Sequence, residues 1–228
     1  FFDAYSWFSF PPRVLPGWDR NGEYLSIFYD YEGHGTAVAG ALASRGESVF
    51  DIEPFGNVTL PGIAPGAKIV AIKGLWMGNV NIAMLWAAGF DFVSGRLLYT
   101  GQPRVDIISN SWEITNILSD TFAPGFDITS MILNSLSTPG EFHDDFPGVL
   151  FVQSAGNGGF GYGTVSIPSS ASLALSVGDS TSTHAYANVS SYSSAGNFED
   201  ILAFSPRGPV ATGEGKPEVV APGDRAAM

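Results

Sequence analysis

Cysteine is absent from this chain, which excludes a disulfide framework, a thiol nucleophile and a zinc site built on thiolates. That absence does not fix a compartment. Cationic side chains are scarce too: ten Lys and Arg stand against 22 Asp and Glu, for a net charge of −12. A polyanion would be repelled and finds no Lys/Arg cluster to bind, so no nucleic-acid partner is expected, and basic peptides or cations suit this field better. No apolar run approaches the length of a membrane span, so the segment reads as soluble. No signal peptide is visible at Phe1, but the chain reads as starting in mid-domain, which leaves that observation little weight.

Hydrophobic residues make up 45% and charged residues only 14%, with 28 Gly and 15 Pro, a balance that suits a globular α/β protein with tight turns rather than disorder. The 228 residues are enough for a sizeable core, and the chain is expected to form one domain. Alternating apolar strands and helices predict a mostly parallel, doubly wound sheet with helices on both faces and active residues at strand C-terminal ends.

The central stretch runs from His34 to Ser44, HGTAVAGALAS. Small residues and unbroken apolar positions read as a helix that other backbone can approach closely, and thus one built for burial. At its first turn, where free amides and the helix dipole lie, stands a residue that titrates near neutrality. By itself such a His is usually a loop or cap residue.

Residues 1 to 33 are aromatic, Pro-bearing and irregular. Arg45 to Leu60 reads as a polar loop in which Glu47, Asp51 and Glu53 are solvated rather than cation-binding. Pro61 to Leu75 predicts a turn and then a strand. Asn79 to Val93 predicts a crossover helix ended by Gly95. VDIISNSWE, Val105 to Glu113, reads as a buried parallel strand. Asp127 to Leu136 is a second amphipathic helix, and His143 and His184 match no motif. GVLFVQSAGNGG, Gly148 to Gly159, runs a buried strand into a Gly-rich turn exposing Asn157; alone, an Asn between glycines is a turn residue. An apolar strand follows at Leu173 to Val177, and then FSPRGPVATGEGKPEVVAPG from Phe204 to Gly223.

Together and in this order, these strings resemble the boxes of the subtilisin-like serine proteases (subtilases). HGTAVAGALAS resembles the histidine box, although the family more often has a second His in place of Ala37. SAGNGG resembles the oxyanion box, and FSPRGP to APG resembles the segment before the nucleophile, where Arg207 is structural. The resemblance implies acyl transfer with His34 as general base and Asn157 as oxyanion donor. It also implies that the edge at Ser111, Trp112 and Glu113, with Ser154 and Gly156, pairs with an extended polypeptide substrate. Glu113 stands where relatives have Gly, so it either crowds and charges the cleft, favouring basic side chains, or is a solvent-facing acid at a strand end.

Asp3 lies 31 residues before His34 and follows two Phe residues, as the family's catalytic Asp follows an apolar strand. Ala4 and Tyr5, however, replace the Ser/Thr-Gly that the pattern requires. Either Asp3 is the triad carboxylate, or FFD is the loop after it and the true Asp lies upstream of Phe1. Asp30 is a turn or cap residue. No Ser in the chain carries the GTSMA box of the nucleophile, so the sequence is expected to be an incomplete subtilase catalytic domain, inactive alone. A pseudoprotease using the cleft as a peptide-binding module and an unrelated doubly wound binding domain are the other readings. The resemblance implies a secreted or cell-surface protein. No cofactor or metal is required, and although calcium is common in relatives, no loop spells out a ligand set.

Overall fold

The computed structural model describes residues 33–72, 74, 79–114, 125–159, 161–180 and 201–223. They gather into two compact units that divide between Trp86 and Ala87. Asp3, Asp30 and His184 lie outside the described residues.

In the first unit, helix α1 (His34–Ala43) leaves Gly33, whose φ of +77° is a left-handed conformation that glycine adopts without cost. Gly33 itself has no side chain with which to cap the helix, and among the helix residues only Gly35 is buried. The expectation of a deeply buried helix is therefore not met among the described residues. Gly and Ala carry little side chain, so burial depends on backbone coming close. This happens at Gly62, where a Cβ would overlap the Ala43 and Ser44 amides.

Arg45 to Leu60 is not a loop but an antiparallel hairpin, β1 (Arg45–Ile52) with β2 (Gly56–Pro61), in register from Val49↔Thr59 to Ile52↔Gly56. Its β-branched and aromatic residues favour the pleat, and Gly56, at φ +70°, closes the turn. Glu47, Asp51 and Glu53 are exposed on it. Beyond it the predicted turn forms at Pro65 and Gly66, with Ala67 N–H donating to Ala64 O at 2.9 Å. The predicted strand does not form a ladder among the described residues. A β-branched run is only half a strand; Ile69 and Val70 stay exposed without a paired neighbour.

Helix α2 (Asn79–Ala87) buries Val80, Ala83, Met84 and Ala87, the i, i+3, i+4, i+7 face. It stops well before Gly95. Gly89 takes φ +94° and presses so closely on the Gln102 carbonyl that a Cβ would overlap it. Its carbonyl accepts both the Thr100 N–H and the Thr100 hydroxyl at 2.8 Å. The second unit then opens with a hairpin, β3 (Phe90–Val93) and β4 (Arg96–Tyr99), joined by Ser94 and Gly95 at φ +50° and +77°. Two consecutive positive φ values make the two-residue turn whose twist matches a hairpin.

The main sheet is parallel, in the order β5 (Ile107–Asn110), β6 (Leu150–Ser154), β7 (Leu175–Ser180), β8 (Val219–Pro222). Asn110 pairs with Gln153, Ser154 with Val177, and Val177 with Val219. Ile108, Asn110, Phe151, Gln153 and Ser176 are buried, while the alternate residues Ile107, Leu150 and Val219 are exposed. Helix α3 (Ile128–Ser137) packs on β6 and buries Leu133 and Leu136. It begins where Asp127 accepts the Ser130 N–H at 3.0 Å. A parallel four-stranded sheet in a chain that also forms helices, one of them packed on β6, is an α/β fold, as the alternating pattern predicted. Among the described residues no helix is long and apolar enough to cross a membrane.

Candidate active site

A cleft of about 300 Å³ opens at the C-terminal ends of β5 to β8, where open parallel sheets bind their ligands. It is lined by Ser109, Ser111, Ser154, Gly156, Asn157 and Asp179, among others. Four of the residues expected at the site, Ser111, Ser154, Gly156 and Asn157, thus share one cavity.

The turn after β6 is held by a series of hydrogen bonds to its backbone. Ala155 N–H donates to Val177 O at 2.9 Å, and Gly156 N–H to the Ser154 hydroxyl at 3.2 Å. Ala155 O accepts the Ser166 N–H and hydroxyl, each at 3.0 Å. Gly156 takes φ +102° and is so tightly enclosed that a Cβ would overlap the Glu113 carboxylate and the Ser166 hydroxyl. Asn157 follows it into the open: the residue is exposed, and among the described residues its side-chain amide makes no hydrogen bond. A rigid backbone carrying a free neutral donor is what stabilising a developing oxyanion requires, because the donor need not reorganise as charge appears.

Across this family of contacts the far side of the turn is tied to the long C-terminal segment. Gly159 N–H donates to Phe204 O at 3.0 Å, Thr164 N–H to Arg207 O at 3.0 Å, and Arg207 N–H to the Thr164 hydroxyl at 3.0 Å. The segment itself folds back as a tight reversal, with Val210 N–H donating to Glu214 O and Gly208 N–H to Lys216 O at 3.0 and 2.8 Å.

The sequence model of the subtilase family matches residues 16–227. The chain belongs to the subtilase family. It is 32% identical over 246 residues to Pyrolysin from Pyrococcus furiosus, a match that takes in 92% of this chain and 16% of that protein. Two solved structures are similar in fold: Sphericase, with a TM-score of 0.49 and 23% identity, and S41 Psychrophilic Protease, with 0.47 and 21%. Each is matched over 81% of this chain and 50% of its own. This subtilase chain therefore spans half or less of the relatives it matches.

The remaining candidate residues of the subtilase chain fall elsewhere. His34 heads α1 in the first unit, exposed, at the helix N-terminus the sequence assigned to it. Asp3 lies outside both the described residues and the family match. Trp112 is buried and its carbonyl accepts the Gln153 side-chain amide at 2.7 Å. Glu113 is half-buried, does not line the cleft, and accepts the Asn157 backbone N–H at 3.2 Å. Sequence reasoning passed over Asp179 and Ser166. An acid near the C-terminal end of a predicted strand was the available signal for Asp179; Ser166 sits in a loop and gave none. Among the described residues no group of three His, Asp or Glu could hold a metal ion.

Proposed function

We propose that this chain carries the general base and the oxyanion donor of a subtilisin-type serine endopeptidase. Family membership supports the chemistry, and the observation that carries the residue assignment is the immobilised turn that leaves the Asn157 amide free in the cleft. In this reading an extended polypeptide lies along Ser111 and the end of β5. A Ser outside these 228 residues attacks its carbonyl, His34 takes the hydroxyl proton and returns it to the leaving amine, and Asn157 donates to the tetrahedral oxyanion. The acid that orients His34 is Asp3 or a residue upstream of it. The role of His34 rests on its place at the head of a small-residue helix, where it meets solvent.

No Ser here stands in a Gly-Thr-Ser-Met-Ala string, so the 228 residues alone form no acyl-enzyme. The whole protein hydrolyses peptide bonds, and it acts outside the cell or at its surface. The test uses the full-length protein: Asn157→Ala lowers kcat by about 10² to 10³, the loss seen when such a donor is removed from subtilisin. A serine-directed phosphonate labels the full-length protein but not the isolated 228 residues. Peptide binding without labelling or turnover in the full-length protein overturns the peptidase reading and leaves a peptide-binding module.

A further inference from the structure

Glu113 has no part in the acyl transfer just described, yet it sits against Asn157. The main chain fixes where its side chain leaves. On one side the buried Trp112 has its carbonyl held by Gln153 at 2.7 Å. On the other, Ile114 N–H donates to Ile167 O at 2.9 Å. Between these two anchors the carboxylate is directed over the Gly156–Asn157 turn.

We propose that Glu113 is a positioning residue for Asn157: its carboxylate accepts the Asn157 backbone N–H and so fixes the turn that presents the Asn157 side-chain amide. The inference rests on the reading of Asn157 as oxyanion donor. Three observations support it. Glu113 Oε2 lies 3.2 Å from Asn157 N and accepts its N–H. Gly156 is enclosed by the same carboxylate and by Ser166, so that no Cβ fits there and the carboxylate lies directly against the turn. And the neighbouring amides of Ala155 and Gly156 already have acceptors, on Val177 and Ser154, so Glu113 supplies the one that completes the set at the donor residue itself.

The same geometry argues against Glu113 as a specificity residue. It does not line the cleft, whereas Asn157 and Gly156 do, so its charge faces the turn rather than a substrate side chain. A full negative charge beside a forming oxyanion opposes it, and the role needs only an acceptor oxygen, which Gln also provides.

The experiment is a double-mutant cycle in the full-length protein. Glu113→Ala lowers kcat about tenfold, the order expected when a hydrogen bond is lost and the donor drifts, with KM within about twofold. Glu113→Gln retains kcat or raises it. In the Asn157→Ala background, Glu113→Ala lowers kcat no further, because it acts through a side chain already removed. If Glu113→Ala fails to fold, Glu113→Met takes its place, keeping the volume without a strong acceptor. An equal loss in both backgrounds overturns the proposal while leaving the oxyanion role of Asn157 intact. A change confined to KM for substrates with Lys or Arg also overturns it, in favour of a specificity role. If Asn157→Ala itself leaves kcat unchanged, the oxyanion reading fails and the positioning role falls with it.

Discussion

Lys216 and Glu218 form an ion pair at 2.5 Å across the start of β8, with the Lys216 side chain 1% exposed and that of Glu218 35% exposed. Neither charge is left with one partner. Lys216 Nζ also donates to Ala174 O at 2.8 Å, and Glu218 Oε2 accepts the Ser176 N–H at 2.7 Å. The pair therefore clips the last strand of the sheet to the segment leading into β7, beneath the cleft that Ala221, Pro222 and Gly223 help to line.

Lys216→Met is accordingly expected to destabilise the protein. Removing one partner strands the other, at about 3–5 kcal/mol where both are fully buried. Glu218 is partly solvated, so the expected loss is smaller, about 2 kcal/mol. Urea unfolding of the full-length variant checks this: an unchanged midpoint contradicts the clip, and Glu218→Gln should cost more, because it leaves the Lys216 ammonium, 1% exposed, without a counter-charge.

The histidine helix and the Asn157 turn were legible because their signals are local. A helix of Gly and Ala and an Asn among glycines are spelled by adjacent residues, as is the Asp127 cap of α3. The parallel strands β5, β6 and β7 were legible as apolar runs. What was not legible depends on partners distant in the chain. The β1–β2 hairpin was hidden because Glu47 and Asp51 sit on its exposed residues and imitate a solvated loop. The apolar, β-branched residues within Pro61 to Leu75 predict a strand from composition alone, but strand structure requires a neighbour to pair with. Glu113 reaches a residue 44 positions away, a relationship no sequence period reports.

Gly156→Ala should damage activity more than stability. Its φ of +102° disfavours any side chain, and the new methyl would overlap Glu113 and Ser166. Strain of this kind costs about 1–3 kcal/mol, but the displaced turn also moves the Asn157 donor. We expect kcat to fall by at least about tenfold with KM little changed. Circular dichroism with steady-state kinetics checks the variant: retained structure with wild-type kcat would contradict the account of the turn.

The β3–β4 turn offers a stabilising change. Ser94 occupies φ +50°, a conformation that Asn tolerates better than Ser, and Gly95 at φ +77° completes the pair. Ser94→Asn should raise stability by a few tenths to about 1 kcal/mol, while Gly95→Ala should lower it by about 1–2 kcal/mol. Thermal unfolding of the two variants should shift in opposite directions; a shift of the same sign in both would show that the turn is not of this type.

Tyr99 sets an alkaline limit on the second unit. Its ring packs on Phe90, His143 and Phe146 at centroid distances of 5.0, 5.2 and 5.5 Å. Burial first, and then the Asp145 carboxylate, hold its phenol above the ordinary value near 10. The unfolded chain therefore ionises at lower pH than the folded one, and between those two values the folded state binds more protons. Stability must fall as pH rises from about 10 toward the folded value, and it is untouched by this group below 10. Tyr99→Phe keeps the ring contacts and removes a hydroxyl that is buried without a hydrogen-bond partner among the described residues. It should cost nothing near neutral pH, or stabilise slightly. Urea midpoints measured from pH 8 to 11 should decline less steeply in Tyr99→Phe than in the parent above pH 10, and parallel slopes would place the titrating group elsewhere.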